Sequence, residues 1–144
     1  MTLPDLTFVG GRVLTPEGLS EAALGLADGR ITDALTGRRV DLSGHLVLPG
    51  IVDIHGDGFE RHLAPRRGAM DSLTAGLAGL DAELGANGIT TAVVAQFFSW
   101  EGGMRGPDFA EALADALAAT PMRAQALMQL RLETGMIDDF GRAL

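Results

Sequence analysis

The chain has 144 residues, 47% hydrophobic and 21% charged, with a formal net charge of −8 and no cysteine. That length and balance fit a globular domain with its own core. The acidity excludes the electrostatic footprint of a nucleic-acid or anionic-membrane binder, and the missing thiols exclude disulfides, thiolate metal sites and cysteine nucleophiles. All eleven basic residues are arginine, so a lysine Schiff base is excluded as well. The N-terminus lacks the basic-then-apolar pattern of a signal peptide, and no apolar stretch approaches the roughly 20 residues of a membrane span. A cytoplasmic location is the default expectation.

The first 45 residues read as β. Leu6–Val9 and Arg12–Thr15 are short strands around a Gly10-Gly11 turn, the second ended by Pro16-Glu17-Gly18. Ala23–Ala27 leads through Asp28-Gly29, a hairpin signal, to Arg30–Thr32. This meander has few large apolar residues and needs partners to cover it. From Gly44 the pattern changes. His45–Leu48 and Ile51–Ile54 are nearly continuous apolar runs, as in strands buried on both faces. A charged loop of about 15 residues follows, Gly56 to Met70, a length that points to function or disorder. A helix then starts at Met70 or Asp71, with Asp71 as N-cap, a stripe of Leu73, Leu77, Leu80 and Leu84, and a stop at Asn87-Gly88. Ile89–Ala95 is a buried strand and Phe98–Gly106 a loop. Pro107 opens a second helix with Phe109, Leu113 and Leu117 on its apolar face, and Ala124–Leu132 is a third strand.

Strands alternating with amphipathic helices argue for an α/β fold with a parallel sheet or barrel. Three such strands do not close a barrel, which needs eight. The expectation is a partial (β/α)8 TIM barrel of about three βα units over residues 48–144. Residues 1–47 supply strands of a small β-sandwich before it. The chain reads as the front portion of a larger protein.

The residues with most chemical potential follow the second apolar run, in Pro49-Gly50-Ile51-Val52-Asp53-Ile54-His55-Gly56-Asp57. Residues i and i+2 of a strand share a face about 6–7 Å apart, which places Asp53, His55 and Asp57 together. Two readings stay open from these residues alone. His55 and Asp57 are ligands to zinc, manganese or iron, or His55 is a satisfied core histidine and Asp57 caps the turn. The loop beyond carries Glu60, Arg61, His62, Arg66 and Arg67. Its arginines suit an anionic group; it also reads as a solvated surface loop, although Pro65 stiffens it in a way a flexible linker would not need. Gln129, Arg131 and Glu133 alternate at the end of the third strand, either lining the cavity of His55 or forming an exposed ion pair of little consequence. Gln96 and Trp100 are secondary pocket candidates, and His45 is a surface turn residue. No dinucleotide fingerprint, P-loop or nucleophile elbow is present.

The run "GRVLTPEG…LADGRI…DLSGHLVLPGIVDIHGD" resembles the opening of the amidohydrolase superfamily. Its members begin with strands of a small β-sandwich and enter a (β/α)8 barrel whose first strand ends in His-x-His or a variant. Further on, "HGDGFERHLAPRRG", "GITTAVVAQFF" and "QLRLE" are similar to the phosphonate-metabolism diphosphatase branch, which splits a sugar triphosphate to the 5-phosphate and pyrophosphate. The resemblance implies a divalent metal, zinc first, held by His55 and Asp57. It implies Glu60 and His62 near the reaction centre, and Arg61, Arg66 and Arg131 on the phosphates of a small-molecule substrate. A homo-oligomer is a separate expectation. Gly56 and Gly58 replace an expected Thr and Asn, and Gln129 stands where the branch has His. The remaining ligands of the superfamily site lie beyond Leu144, so the isolated chain is expected to be inactive. Two alternatives stand beside the diphosphatase: an amidohydrolase acting on a cyclic amide or aminated base, and a non-catalytic fragment or interaction module.

Overall fold

The computed structural model describes residues 4–63 and 72–144. The chain is α/β and forms two compact units, Met1–Pro49 and Gly50–Leu144.

The first unit is built from short strands: β1 (Leu6–Val9), β2 (Arg12–Thr15), β3 (Gly18–Glu21), β4 (Leu24–Ala27), β5 (Arg30–Thr32), β6 (Arg38–Asp41) and β7 (Leu46–Val47). They make two sheets of order β5-β4-β1-β6 and β3-β2-β7. The Asp28-Gly29 signal is realised: both residues take positive φ, 50° and 72°, and join β4 to β5 with Ala27 opposite Arg30. That backbone matches the right-handed twist of the strands it connects. Two strands carry no clear strand signal in the sequence. β3 follows Pro16-Glu17 directly, because the proline turn folds the chain back onto β2 instead of ending the ladder. β6 is Arg-rich and polar, and is recruited by parallel pairing with β1. No large apolar side chain of this unit's described residues is among the buried ones; Ile31 is 74% exposed and Leu35 54%. Besides Gly11 and Gly25, the buried residue among those described is Thr7, whose hydroxyl donates to the Thr36 carbonyl at 2.7 Å.

The second unit holds a three-stranded sheet of order β10-β9-β8, all parallel: β8 (Ile51–Gly56), β9 (Ile89–Phe98) and β10 (Gln125–Leu132). Helix α2 (Leu73–Ala86) connects β8 to β9, and α3 (Pro107–Ala119) connects β9 to β10. The leucine stripe of α2 packs as its spacing predicts, with Leu77, Leu80 and Leu84 buried against Ala92 and Val94 of β9 and Leu113 of α3. The N-cap differs by one residue. Ser72, extended, is the N-cap, and its hydroxyl accepts from the Ala75 N–H at 3.2 Å; Asp71 lies outside the described residues. Asn87 closes the helix and Gly88, at φ 72°, turns the chain into β9. A second buried group joins Phe98, Ala110 and Met136. Among the described residues no helix is long and apolar enough to cross a membrane.

The expectation that the Ile51–Ile54 run is buried on both faces is not met. Ile51, Val52 and Ile54 are 54%, 58% and 76% exposed. β8 is an edge strand, paired to β9 on one side, and its register shifts after Ile51 and again after Asp53. An apolar run is covered only when strands or helices flank it on every side. The three parallel strands do not form a closed barrel.

Candidate functional site

The strands β8, β9 and β10 end together on one side of the sheet, and most of the residues singled out above sit at those ends. His55 is the penultimate residue of β8, and its side chain is exposed. Its backbone N–H donates to Asp53 Oδ1 at 3.1 Å, so Asp53 is occupied in holding the irregular strand end. The His55 ring reaches across the sheet, with Nδ1 2.6 Å from Gln129 Oε1 on β10. The amide oxygen only accepts, so this contact calls for a proton on Nδ1. Asp57 is exposed just beyond β8, and its carbonyl accepts from the Glu60 N–H at 3.3 Å. That contact opens α1 (Glu60–Leu63), a single helical turn where the sequence reads as loop. Buried Phe59 and Leu63 fasten the turn to the core, a signal that charge-dominated composition hides.

The loop residues then point away from a shared site with His55. Arg61 pairs with Glu83 of α2, and His62 Nε2 lies 2.5 Å from the other oxygen of the same carboxylate. Burial pushes the His62 pKa below the ordinary histidine value of 6.5, and the Arg61 charge lowers it further. The Glu83 carboxylate accepts from His62 Nε2–H. An NMR titration of the His62 ring should give a midpoint under 6.5. A midpoint above 6.5 would mean that the Glu83 charge outweighs burial and Arg61. Arg66 lies outside the described residues.

On β9 and β10 the arrangement is cationic and aromatic. The Arg131 guanidinium sits 4.0 Å from the centroid of the Phe97 ring and that of Arg105 4.5 Å from the same centroid, each within cation–π range. Arg105 also bonds Glu101 at 2.7 Å, and that carboxylate, with smaller help from Glu60 and Glu133, raises its pKa. Gln96 is buried and donates to the carbonyls of Phe97 and Met104, which makes it a brace for the strand end. Trp100 is 74% exposed. A cavity of about 200 Å³ opens beside α2, with Asp53, Phe59, Arg61, Glu83 and Val93 among its walls, but neither His55 nor Gln129 lines it.

The structure thus brings His55 to Gln129, leaves Arg61 and His62 against Glu83 of α2, and places Glu60 within electrostatic reach of Arg105. Among the described residues no three His, Asp or Glu side chains gather closely enough to hold a metal ion. One imidazole and one carboxylate fall short of the three or four protein ligands of a zinc site, so these residues alone do not fit the expected metal. The His55–Gln129 link is the part of the site that spacing along one strand does not specify, since it depends on strand order.

No family model matches the chain. Over 56 residues it is 39% identical to a D-hydantoinase from Rhizobium radiobacter, and equally so to a D-hydantoinase from Ralstonia pickettii. Each match covers 35% of this chain and 12% of the relative. This similarity supports the amidohydrolase superfamily for the matched stretch and does not reach the phosphonate branch.

Proposed function

We propose that this chain contributes to an amidohydrolase-type hydrolase that opens cyclic amides, hydantoins among them. The observation that carries the reading is the similarity to two D-hydantoinases. It agrees with the placement of His55 at the C-terminal end of a parallel strand, the end at which barrel enzymes assemble their chemistry. In this reading β8, β9 and β10 are the first strands of a (β/α)8 barrel entered after an N-terminal sandwich. The divalent metal would need ligands in addition to His55 and Asp57. Ring opening consumes one water: its oxygen bonds the carbonyl carbon, the ring C–N bond breaks, and a proton passes to the departing nitrogen. In this reading His55 Nε2 supplies an electron pair at the reaction centre.

The diphosphatase is the second reading, favoured by the Glu60-Arg61-His62-Leu63-Ala64-Pro65-Arg66 run. It asks Arg61 and Arg131 to bind phosphate, whereas Arg61 is paired with Glu83 and Arg131 lies on Phe97. Releasing either residue would be part of binding.

The test is a substrate panel on the complete gene product with added divalent metal: a hydantoin, a dihydropyrimidine, an aminated base and a sugar 5-triphosphate. Ring opening, followed by chromatography, is expected with the cyclic amides. His55→Ala should reduce it about a hundredfold or more, the scale for losing a proton-transfer or polarising group. Pyrophosphate release without ring opening would replace this reading with the second.

A further inference from the structure

We infer that Gln129 is a positioning residue, which fixes His55 as the Nδ1–H tautomer and presents Nε2 as an electron-pair donor. The two residues are not on neighbouring strands. His55 belongs to β8 and Gln129 to β10, with β9 between them, yet Nδ1 and Oε1 stand 2.6 Å apart. Side chains two strands apart start roughly 10 Å from each other, so the bond needs two long side chains and a small residue beneath them. The β9 residue in register with Gln129 is Ala95, fully buried, whose methyl leaves that space. A larger side chain at that position would stand in the path of the bond.

The bond is poorly suited to holding the fold. Both residues are exposed, and a neutral hydrogen bond in contact with water contributes little net stability. What it does specify is the ring. A histidine free in solution prefers the Nε2–H tautomer and rotates about χ2. An acceptor at Nδ1 reverses the tautomer and fixes the ring plane, as outer partners do for histidines whose other nitrogen works. Among the described residues Gln129 is the hydrogen-bond partner of the ring, and Nε2 has none. The use of that lone pair rests on the proposed function; the tautomer is measurable without turnover.

The experiment is a long-range 1H–15N correlation spectrum of the histidine-labelled chain, recorded at a pH high enough to keep the rings neutral. In the native chain His55 should show a protonated Nδ1 and an unprotonated Nε2. Gln129→Leu should shift His55 to predominantly Nε2–H, while Gln129→Glu, which retains an acceptor oxygen, should keep Nδ1–H. Ala95→Val should weaken the Nδ1–H preference with Gln129 intact. A native His55 in the Nε2–H form would overturn the inference, and this needs no variant to fold. So would a Gln129→Leu ring that stays Nδ1–H in a chain with native amide dispersion. An Nδ1–H ring in a gene product that opens no cyclic amide would overturn the proposed function and leave the positioning role standing.

Discussion

Phe98→Ala is expected to destabilise the second unit by about 4 kcal/mol, a large part of the 5–15 kcal/mol typical of a whole domain. Phe98 is fully buried at the end of β9, grouped with Ala110 of α3 and Met136, with Leu130, Leu132 and Ala143 packed against them. Its ring joins the last strand pair, the third helix and the segment after β10. Its carbonyl also accepts from the Glu133 N–H at 3.2 Å, so a backbone displaced toward the vacated space would disturb Glu133 too. The loss has two parts: transfer of the ring from water, and a cavity that β9, paired with β10 as far as Phe98 itself, cannot collapse to fill. Urea unfolding followed by circular dichroism measures it. Phe98→Leu should recover more than half of the loss. A change under about 1 kcal/mol for the alanine variant would show that the C-terminal segment packs elsewhere.

The second large effect belongs to a charged residue. Asp81 on α2 is 8% exposed. Its Oδ1 accepts from the N–H groups of Arg123 and Ala124, each at 2.9 Å, and its Oδ2 accepts from Arg123 Nε at 2.9 Å. These bonds fasten the helix to the entry of β10. Asp81→Ala is expected to cost about 3 kcal/mol, because it removes charge-assisted bonds and leaves the main-chain donor of buried Ala124 unpaired. Arg123→Ala should cost under about 1 kcal/mol, since that side chain is 73% exposed and its ion pair is weakened by solvent. Equal losses from the two variants would mean that the ion pair, and not the main-chain latch, holds the strand.

The same residue sets an acid limb. The Ala124 N–H, with further help from Arg123, holds the Asp81 pKa below its ordinary 3.8 against the opposing effect of burial. A depressed carboxylate stabilises the fold fully above its unfolded value, and the contribution is lost as pH falls through the folded value. Stability should therefore decline on acidification below about pH 4, with a slope of at most about 1.4 kcal/mol per pH unit from this group. Asp81→Asn should flatten that part of the profile.

Much of the second unit was legible because its signals are periodic. The leucine stripe, Pro107 at the first turn of α3 and the β-branched start of β9 each specify an element through local chemistry. What escaped depends on neighbours. β6 is a strand because β1 offers it a partner, and its Arg-Arg start carries no strand signal. α1 forms because Phe59 and Leu63 find the core, although the residues between them are charged or polar. The apolar run of β8 suggested burial on both faces, yet whether a face is covered depends on what stands beside the strand. For the candidate site, His55 and Gln129 were visible as residue types, and their contact follows from strand order and the small residue in β9. The separation of Arg61 and His62 from His55 depends on Glu83, which the leucine pattern of α2 does not single out.

The two seams of the parallel sheet are unequal. β9 meets β10 through eight consecutive residue pairs, whereas β8 meets β9 through four pairs broken by two shifts in register. Local opening runs along the boundary with fewest ordered bonds, so β8 is expected to separate from this sheet before β10 does. His55 travels with the detachable strand while Gln129 stays with the anchored pair. The bond between their side chains therefore exists only while the weaker seam is closed, and the state of the imidazole reports whether the edge of the sheet is seated.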